Sequence, residues 1–278
     1  MDVLVSVIIP YYNSAQYLGE LLDSISMQYD IEVIVINDHS TKNIDEYNIL
    51  QKKYANSNVV FLDNDKENKG AGSARNKGMQ LACGKYLLFA DADDTFLPGT
   101  WELIRNMELG ADIIFFPPTS KNNNGCKGCR HEVYAKLARD YAREKSKRYE
   151  TRLRWMYYSP CSKLVKKELV DTYHIEFDNT PVSNDNMFSI LVGMNAKSID
   201  AIDQEIYQIR EHAEGISNKR DIKSEIIRKK VYTKCYKLMK KNTSRKEKSD
   251  YLEYHIGSDL YYYKCYISVC LYELFFII

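Results

Sequence analysis

The chain has 278 residues, 45% apolar and 28% charged, enough for one sizeable domain with an appendage and unlike a disordered or fibrous polypeptide. With 39 Lys and Arg against 38 Asp and Glu, the net charge of +1 gives no case for nucleic acid or an acidic partner. Seven scattered Cys, an N-terminus without a basic leader and no apolar run of about 20 residues point to a reduced, cytoplasmic setting without a transmembrane helix.

Val3 to Ile9 is a near-continuous β-branched run, the mark of a strand buried on both faces, and Pro10 is expected to end it. From Ala15 to Met27 the apolar residues Tyr17, Leu18, Leu21, Leu22 and Ile25 fall at helical spacing. Ile31 to Ile36 reads as a second buried strand, ending at Asn37-Asp38. A helix is expected over Ile44 to Tyr54 and a third strand over Asn58 to Leu62. Gly70 to Ala82 reads as a small-residue loop running into a helix, Tyr86 to Ala90 as a fourth strand and Ala111 to Phe116 as a fifth. Residues 119 to 131 read as a polar loop, 132 to 170 as mostly helical, and 171 to 210 as short strands and turns. Alternation at this spacing predicts a parallel, doubly wound α/β sheet, whose ligands bind beyond the carboxyl ends of the strands. Asn13, Asp38 and Asp91 all stand just past such ends.

The fourth strand runs into Ala90-Asp91-Ala92-Asp93-Asp94. Carboxylates at i and i+2 point the same way in extended chain, so Asp91 and Asp93 can aim at one ligand. Hard oxygen ligands suit Mg²⁺ or Mn²⁺, which usually keep waters and bridge to substrate phosphates. The bland alternative is a solvated acidic turn.

Four segments together reduce that alternative: Val7-Ile8-Ile9-Pro10-Tyr11-Tyr12-Asn13, Val33-Ile34-Val35-Ile36-Asn37-Asp38-His39-Ser40, Asn68-Lys69-Gly70-Ala71-Gly72-Ser73-Ala74-Arg75-Asn76 and Phe89-Ala90-Asp91-Ala92-Asp93-Asp94. In this order and spacing they resemble glycosyltransferase family 2, the inverting nucleotide-sugar transferases of the GT-A fold. The resemblance is specific over about residues 4–100 and looser to about 217, and it does not extend to the last sixty residues. It implies a Rossmann-like, mostly parallel sheet flanked by helices. Residues 1–220 would be the catalytic domain, with 1–100 its nucleotide-binding half and 101–220 its acceptor side. Residues 221–278 would be a basic, Tyr-rich helical appendage.

The resemblance also assigns roles. Tyr12 would stack on a uracil-type base, an interaction worth about 1–3 kcal/mol. Asp38 would accept from the base imide. Arg75 would lie near base and phosphates, and Pro10, Asn13, Asn68, Gly70 and Ala92 would join the donor contacts. Asp91 matches the carboxylate near ribose and metal, and Asp93 the principal metal ligand. Arg210 would contact phosphate and His212 would complete the metal shell. Asp94 reads as a local cap or a supporting group. In Val182-Ser183-Asn184-Asp185-Asn186-Met187-Phe188, Asp185 matches the base that deprotonates the acceptor, although Asn184 stands where the family has Glu; a helix N-cap is the simpler role for Asp185. Pro160 to Val165 resembles the acceptor-side segment, and Trp155 either lines the sugar pocket or sits in the core. Cys126-Lys127-Gly128-Cys129 tempts a zinc reading, but no second such pair is present.

The implied activity is transfer of a hexosyl or N-acetylhexosaminyl group from a UDP-sugar, with Mn²⁺ or Mg²⁺, to a saccharide or lipid-linked hydroxyl in surface-polysaccharide assembly. A nucleotidyltransferase would instead want a basic Gly-rich loop after the first strand, and a non-catalytic binding protein would have lost the Asp pair or the base. Between Lys219 and Lys248 thirteen Lys and Arg face three Asp and Glu, and an apolar, Tyr-rich tail from Leu260 follows. This suits peripheral contact with anionic lipid at the inner face of the membrane. The alternative is a solvated basic helix whose tail packs on the catalytic domain or on a second subunit.

Overall fold

The computed structural model describes residues 2–25, 30–65, 67, 69–122, 124–212, 221–245 and 247–248. Asn68, the end of the expected first helix at Met27, the start of the basic stretch at Lys219 and the whole Tyr-rich tail lie outside the described residues.

A seven-stranded sheet forms the centre, in the order β3-β2-β1-β4-β8-β6-β9. Strands β1 (Val5–Tyr11), β2 (Ile31–Asn37), β3 (Val59–Asp63) and β4 (Tyr86–Phe89) are mutually parallel, as their continuous apolar runs require. Between them run α1 (Ala15–Asp23), α2 (Ile44–Lys53) and α3 (Ala71–Leu81). The alternating pattern of the first ninety residues is therefore legible as this half of the sheet. Pro10, however, does not end β1. It pairs in register with Ile36, and β1 continues to Tyr11. The ladder to β4 stops at Ile8–Phe89, so Pro10 lies where only β2 flanks the strand and its missing N–H breaks no second ladder. The segment from Gly70 is not a loop. Gly70, at φ +105°, turns the chain and α3 begins at the next residue.

The second half departs further from the pattern. After β5 (Thr95–Phe96), α4 (Thr100–Asn106) and β6 (Ile113–Phe115), residues Thr119–Asn122 form strand β7, not the start of a loop. It pairs with β10 (Tyr207–Glu211), which also pairs with β5, in a separate three-stranded sheet. The stretch expected to be mostly helical holds α5 (Glu132–Arg143), α6 (Lys147–Met156) and α7 (Lys167–Thr172), but also β8 (Lys163–Lys166). β8 inserts antiparallel between β4 and β6, and β9 (Ile199–Ala201) completes the edge. Four residues are too few to show a period, so β8 is recognisable only from its partners.

Helix α8 (Asn186–Asn195) brings Phe188 into a fully buried ring cluster. Phe188 stacks on Phe177 at 4.0 Å, and Phe89 meets both edge-on at 5.1 and 5.3 Å. Such pairs contribute about 0.5–1.5 kcal/mol beyond their buried area. The cluster ties the end of β4 to the start of α8. Helix α9 (Ile222–Asn242) packs on α6 and α8 through a second core of Trp155, Tyr158, Met187, Ile190, Val231, Cys235 and Met239. Trp155 is thus a core residue there. The basic residues of α9 line the same helix; Lys234 pairs with Asp178 at 3.4 Å and Arg228 with Glu225 at 2.6 Å. Among the described residues no helix is long and apolar enough to cross a membrane.

Candidate active site

The carboxyl ends of β1, β2 and β4 lie side by side at one edge of the sheet, and the chain emerging from each carries part of the candidate site. Past β1, Tyr11 is buried and stacks on Tyr47 at 4.6 Å, while Tyr12 is 56% exposed and free to meet a flat ligand. Asn13, in the left-handed region at φ +53°, spends its side-chain oxygen on the backbone N–H groups of Thr41 (2.8 Å) and Lys42 (2.9 Å). It shapes the loop after β2 and leaves direct ligand contact to its neighbours. Asp38 accepts from Asn64 Nδ2 (2.9 Å) and from the Gly70 N–H (2.8 Å), which ties the turn before α3 to the end of β2. Each carboxylate oxygen retains a lone pair for a further donor such as an imide N–H.

Helix α3 approaches closely. A Cβ on Gly72 would lie 2.3 Å from the carbonyl oxygen of Asp178, so only glycine lets the helix meet the 177–184 segment. Asn76 clasps that segment from the same face, donating to the Phe177 carbonyl (3.0 Å) and accepting from the Phe177 N–H (2.8 Å). Arg75 is buried here. It donates to Asp91 Oδ1 (2.6 Å) and Asn184 Oδ1 (3.0 Å), with its guanidinium 5.2 Å from the Phe177 ring centre. Burial works against its charge, but the carboxylates of Asp91 and Asp185 outweigh it and the guanidinium is held firmly protonated. Asn184, standing where the resemblance led one to expect Glu, gives Arg75 a neutral acceptor and one less buried charge.

Asp91, Asp93 and Asp94 have three distinct environments. Asp91 and Asp93 remain part-exposed, whereas Asp94 is buried. Asp94 accepts from the Tyr207 hydroxyl and the Arg210 N–H, both at 2.7 Å, and so fastens β10 to the end of β4. The Tyr207 hydroxyl in turn accepts from the Asp91 N–H (2.9 Å). Burial, with the Asp91 and Asp93 charges, pushes the Asp94 carboxyl well above the usual range. Burial and Asp91 also raise Asp93, against the His212 imidazole, whose Nε2 lies 3.3 Å from Asp93 Oδ2. Arg210 donates from Nε to the Asp93 carbonyl (3.0 Å), pairs with Glu20 and sits 4.7 Å over the Tyr17 ring.

The part-exposed carboxylates of Asp91 and Asp93 are hard oxygen donors of the kind that suits Mg²⁺ or Mn²⁺, and the His212 ring stands beside Asp93. Among the described residues no group of three or more His, Cys, Asp or Glu is placed to hold an ion by itself. Such an ion would therefore draw ligands from a bound diphosphate. The same statement covers Cys126 and Cys129, which are exposed and free.

Asp185 stands at the N-cap position of α8, yet its side chain makes no capping hydrogen bond. The simpler cap role is not what the carboxylate does. Burial raises its pKa, opposed first by Arg75 and more weakly by Lys163. Ser183, two residues earlier, adopts φ +54°, a conformation that costs a non-glycine residue free energy and that the surrounding contacts enforce.

The sequence profile described as glycosyl transferase family 2 matches residues 6–173, more than half of the chain. The chain belongs to glycosyltransferase family 2. An uncharacterized glycosyltransferase, YibD of Escherichia coli K12, is 38% identical over 110 residues, covering 39% of this chain and 31% of that protein. The poly(ribitol-phosphate) beta-glucosyltransferase of Bacillus spizizenii is 39% identical over 95 residues, covering 32% of this chain and 15% of that one. The family 2 chain thus matches well under half the length of these relatives. Among solved structures, S. aureus TarS 1-349 in complex with UDP-GlcNAc superposes with TM-score 0.63 at 22% identity, covering 82% of this chain and 65% of that one. The mannosyltransferase PcManGT from Pyrobaculum calidifontis, in complex with GDP-Man and Mn²⁺, gives TM-score 0.61 at 16% identity, covering 88% and 66%. At these identities the likeness establishes the GT-A fold that the family resemblance implies.

Three groups that build this family 2 site carry no readable signal in the sequence. Asn64 links Asp38 to Ser73, Tyr207 bridges Asp91 and Asp94, and Lys163 lies buried beneath α8. Each is an isolated polar residue whose partner is remote in sequence.

Proposed function

We propose that this family 2 member is an inverting glycosyltransferase. It transfers a hexosyl or N-acetylhexosaminyl group from a UDP-sugar to a hydroxyl of a saccharide or lipid-linked acceptor. The observation that carries the reading is that the carboxyl edge of the sheet carries the exposed Tyr12, Asp38, the Arg75–Asp91 pair and the Asp93–His212 pair, with Arg75 reaching across to Asn184 next to the uncapped Asp185. Tyr12 and Asp38 would hold the base, and Asp91 would hold the ribose. Asp91, Asp93 and His212 would hold a divalent ion, which when bound neutralises charge on the departing diphosphate. Asp185 takes the proton of the acceptor hydroxyl as its oxygen attacks the anomeric carbon. The bond from that carbon to the diphosphate oxygen breaks on the opposite face, which inverts the centre.

A setting in surface-polysaccharide assembly is supported by relatives such as the minor teichoic acid biosynthesis protein GgaB of Bacillus subtilis, 37% identical over 123 residues, 40% of this chain and 13% of that one. A panel of UDP-, GDP- and TDP-sugars with Mn²⁺ tests the reading by release of free nucleotide. UDP release from at least one UDP-sugar is expected. Release from none of the donors, with no calorimetric binding of UDP, overturns it.

We also infer that the basic α9 and the tail after it bring the enzyme to anionic lipid from the cytoplasmic side. Vesicles rich in anionic lipid should sediment the full chain, and added salt should weaken the contact by screening. A full chain that stays in the supernatant at low salt refutes this.

A further inference from the structure

Lys163 is fully buried on β8, and the mechanism above does not use it. An ammonium so far from water is costly unless it is paired and hydrogen-bonded. Its Nζ donates to Ser189 Oγ (3.1 Å) and to the Tyr157 carbonyl (3.4 Å), and lies 5.3 and 5.8 Å from the ring centres of Tyr157 and Phe115. Ser189 sits one turn into α8, donates its N–H to the Asp185 carbonyl (3.0 Å) and donates its hydroxyl to the Tyr158 carbonyl (2.5 Å). One buried cation therefore grips the first turn of the helix that Asp185 begins.

We propose that Lys163 is a positioning residue for Asp185: its buried amine, bonded to Ser189, fixes the first turn of the helix that Asp185 begins and sets a positive group facing that residue. The proposal rests on the reading of Asp185 as the acceptor base. Asp185 is faced by Arg75 from α3, Asp91 after β4, Lys163 from β8 and the Cys235 thiol from α9, with the Asp178–Lys234 pair beside that thiol. Arg75 shares its charge with Asp91 and Asn184, whereas Lys163 has no carboxylate among its hydrogen-bond acceptors. Burial pulls the Lys163 ammonium down to about 7, with Asp185 acting against that fall. The two charges therefore support each other on the acid side of neutrality.

Lys163→Met removes the charge and keeps the volume. The low-pH limb of kcat should move to higher pH, because a positive group facing Asp185 is lost. Turnover should then fall most within that acid limb and return toward wild type at pH 8. A purely structural defect would lower turnover equally at every pH. The affinity for UDP should stay within about twofold of wild type, since Lys163 touches none of the donor residues. Should Lys163→Met not fold, Ser189→Ala keeps the charge, removes its anchor and should move the limb the same way by less. Carbon-detected NMR titration of the Asp185 carboxyl, assigned by its loss in Asp185→Asn, should read the same upward shift without any substrate. An unmoved carboxyl pKa in the folded variant overturns the proposal. If Asp185→Asn retains wild-type transfer, the base reading has failed. If it abolishes transfer while the limb stays fixed in the Lys163 variant, only the role of Lys163 has failed.

Discussion

Replacing Asp93 by Ala should remove nearly all nucleotide release from the donor, and excess EDTA should do the same to the wild-type protein. Asp93 is part-exposed, carries its carboxylate beside His212 and is raised in pKa by burial and by Asp91. A cation delivered there relieves both effects at once, because it replaces the proton that the crowded carboxylates would otherwise hold. The sign of the pH effect follows. Protons compete with the ion as pH falls through the raised pKa of Asp93, so Mn²⁺ activation should weaken at lower pH and recover with more Mn²⁺. The loss on Asp93→Ala should reach about 10²-fold or more, comparable with removing one strong electrostatic stabiliser of a leaving group. Asp94→Ala would be a poor substitute test, since Asp94 holds Tyr207 and Arg210 and its removal would loosen β10. Full activity in EDTA after dialysis would eliminate the metal role of Asp93.

Asp185→Asn should separate binding from chemistry. The amide keeps the size of the side chain, and no capping hydrogen bond is lost because none is made. Loss of a general base costs about 10²–10⁴ in rate. UDP affinity by calorimetry should hardly change, since Arg75 keeps its bonds to Asp91 and Asn184. The wild-type pH profile gives a second reading of the same group. Burial raises the Asp185 pKa, so the ionised base is lost as pH falls through a value above the ordinary carboxylate range. Transfer should therefore decline on the acid side earlier than a surface Asp would dictate, and the residual activity of Asp185→Asn should lack that limb. The same raised pKa has a stability sign: the folded state favours the protonated carboxyl. That contribution is fully present below the unfolded pKa and is lost as pH rises through the folded one. If transfer by Asp185→Asn matches wild type, the base is another residue, with Asp178 next in line.

Sequence alone settles the parallel half of this protein and which polar residues stand at its edge. The runs Val5–Tyr11, Ile31–Asn37 and Tyr86–Phe89 are apolar but for Ser6, Glu32 and Asn37 because both faces of each strand are largely covered, and that signal is local. Polar residues directly after such runs must lie at the carboxyl edge, so Tyr12, Asp38, Asp91 and Asp93 are legible as a group. What tertiary structure alone decides is which neighbour each polar group meets. Asn13 shapes a loop, Arg210 turns to Glu20 and Tyr17, Trp155 joins the core under α9, and Asp94, in the loop after β4, locks β10 in place. β7 and β8 are four residues each and exist only through strands far away in the chain. The physical reason is one of range. Burial on both faces leaves its mark on consecutive residues, whereas a hydrogen bond between Lys163 and Ser189, or between Arg75 and Asn184, is fixed only when the packed sheet brings distant segments within about 3 Å.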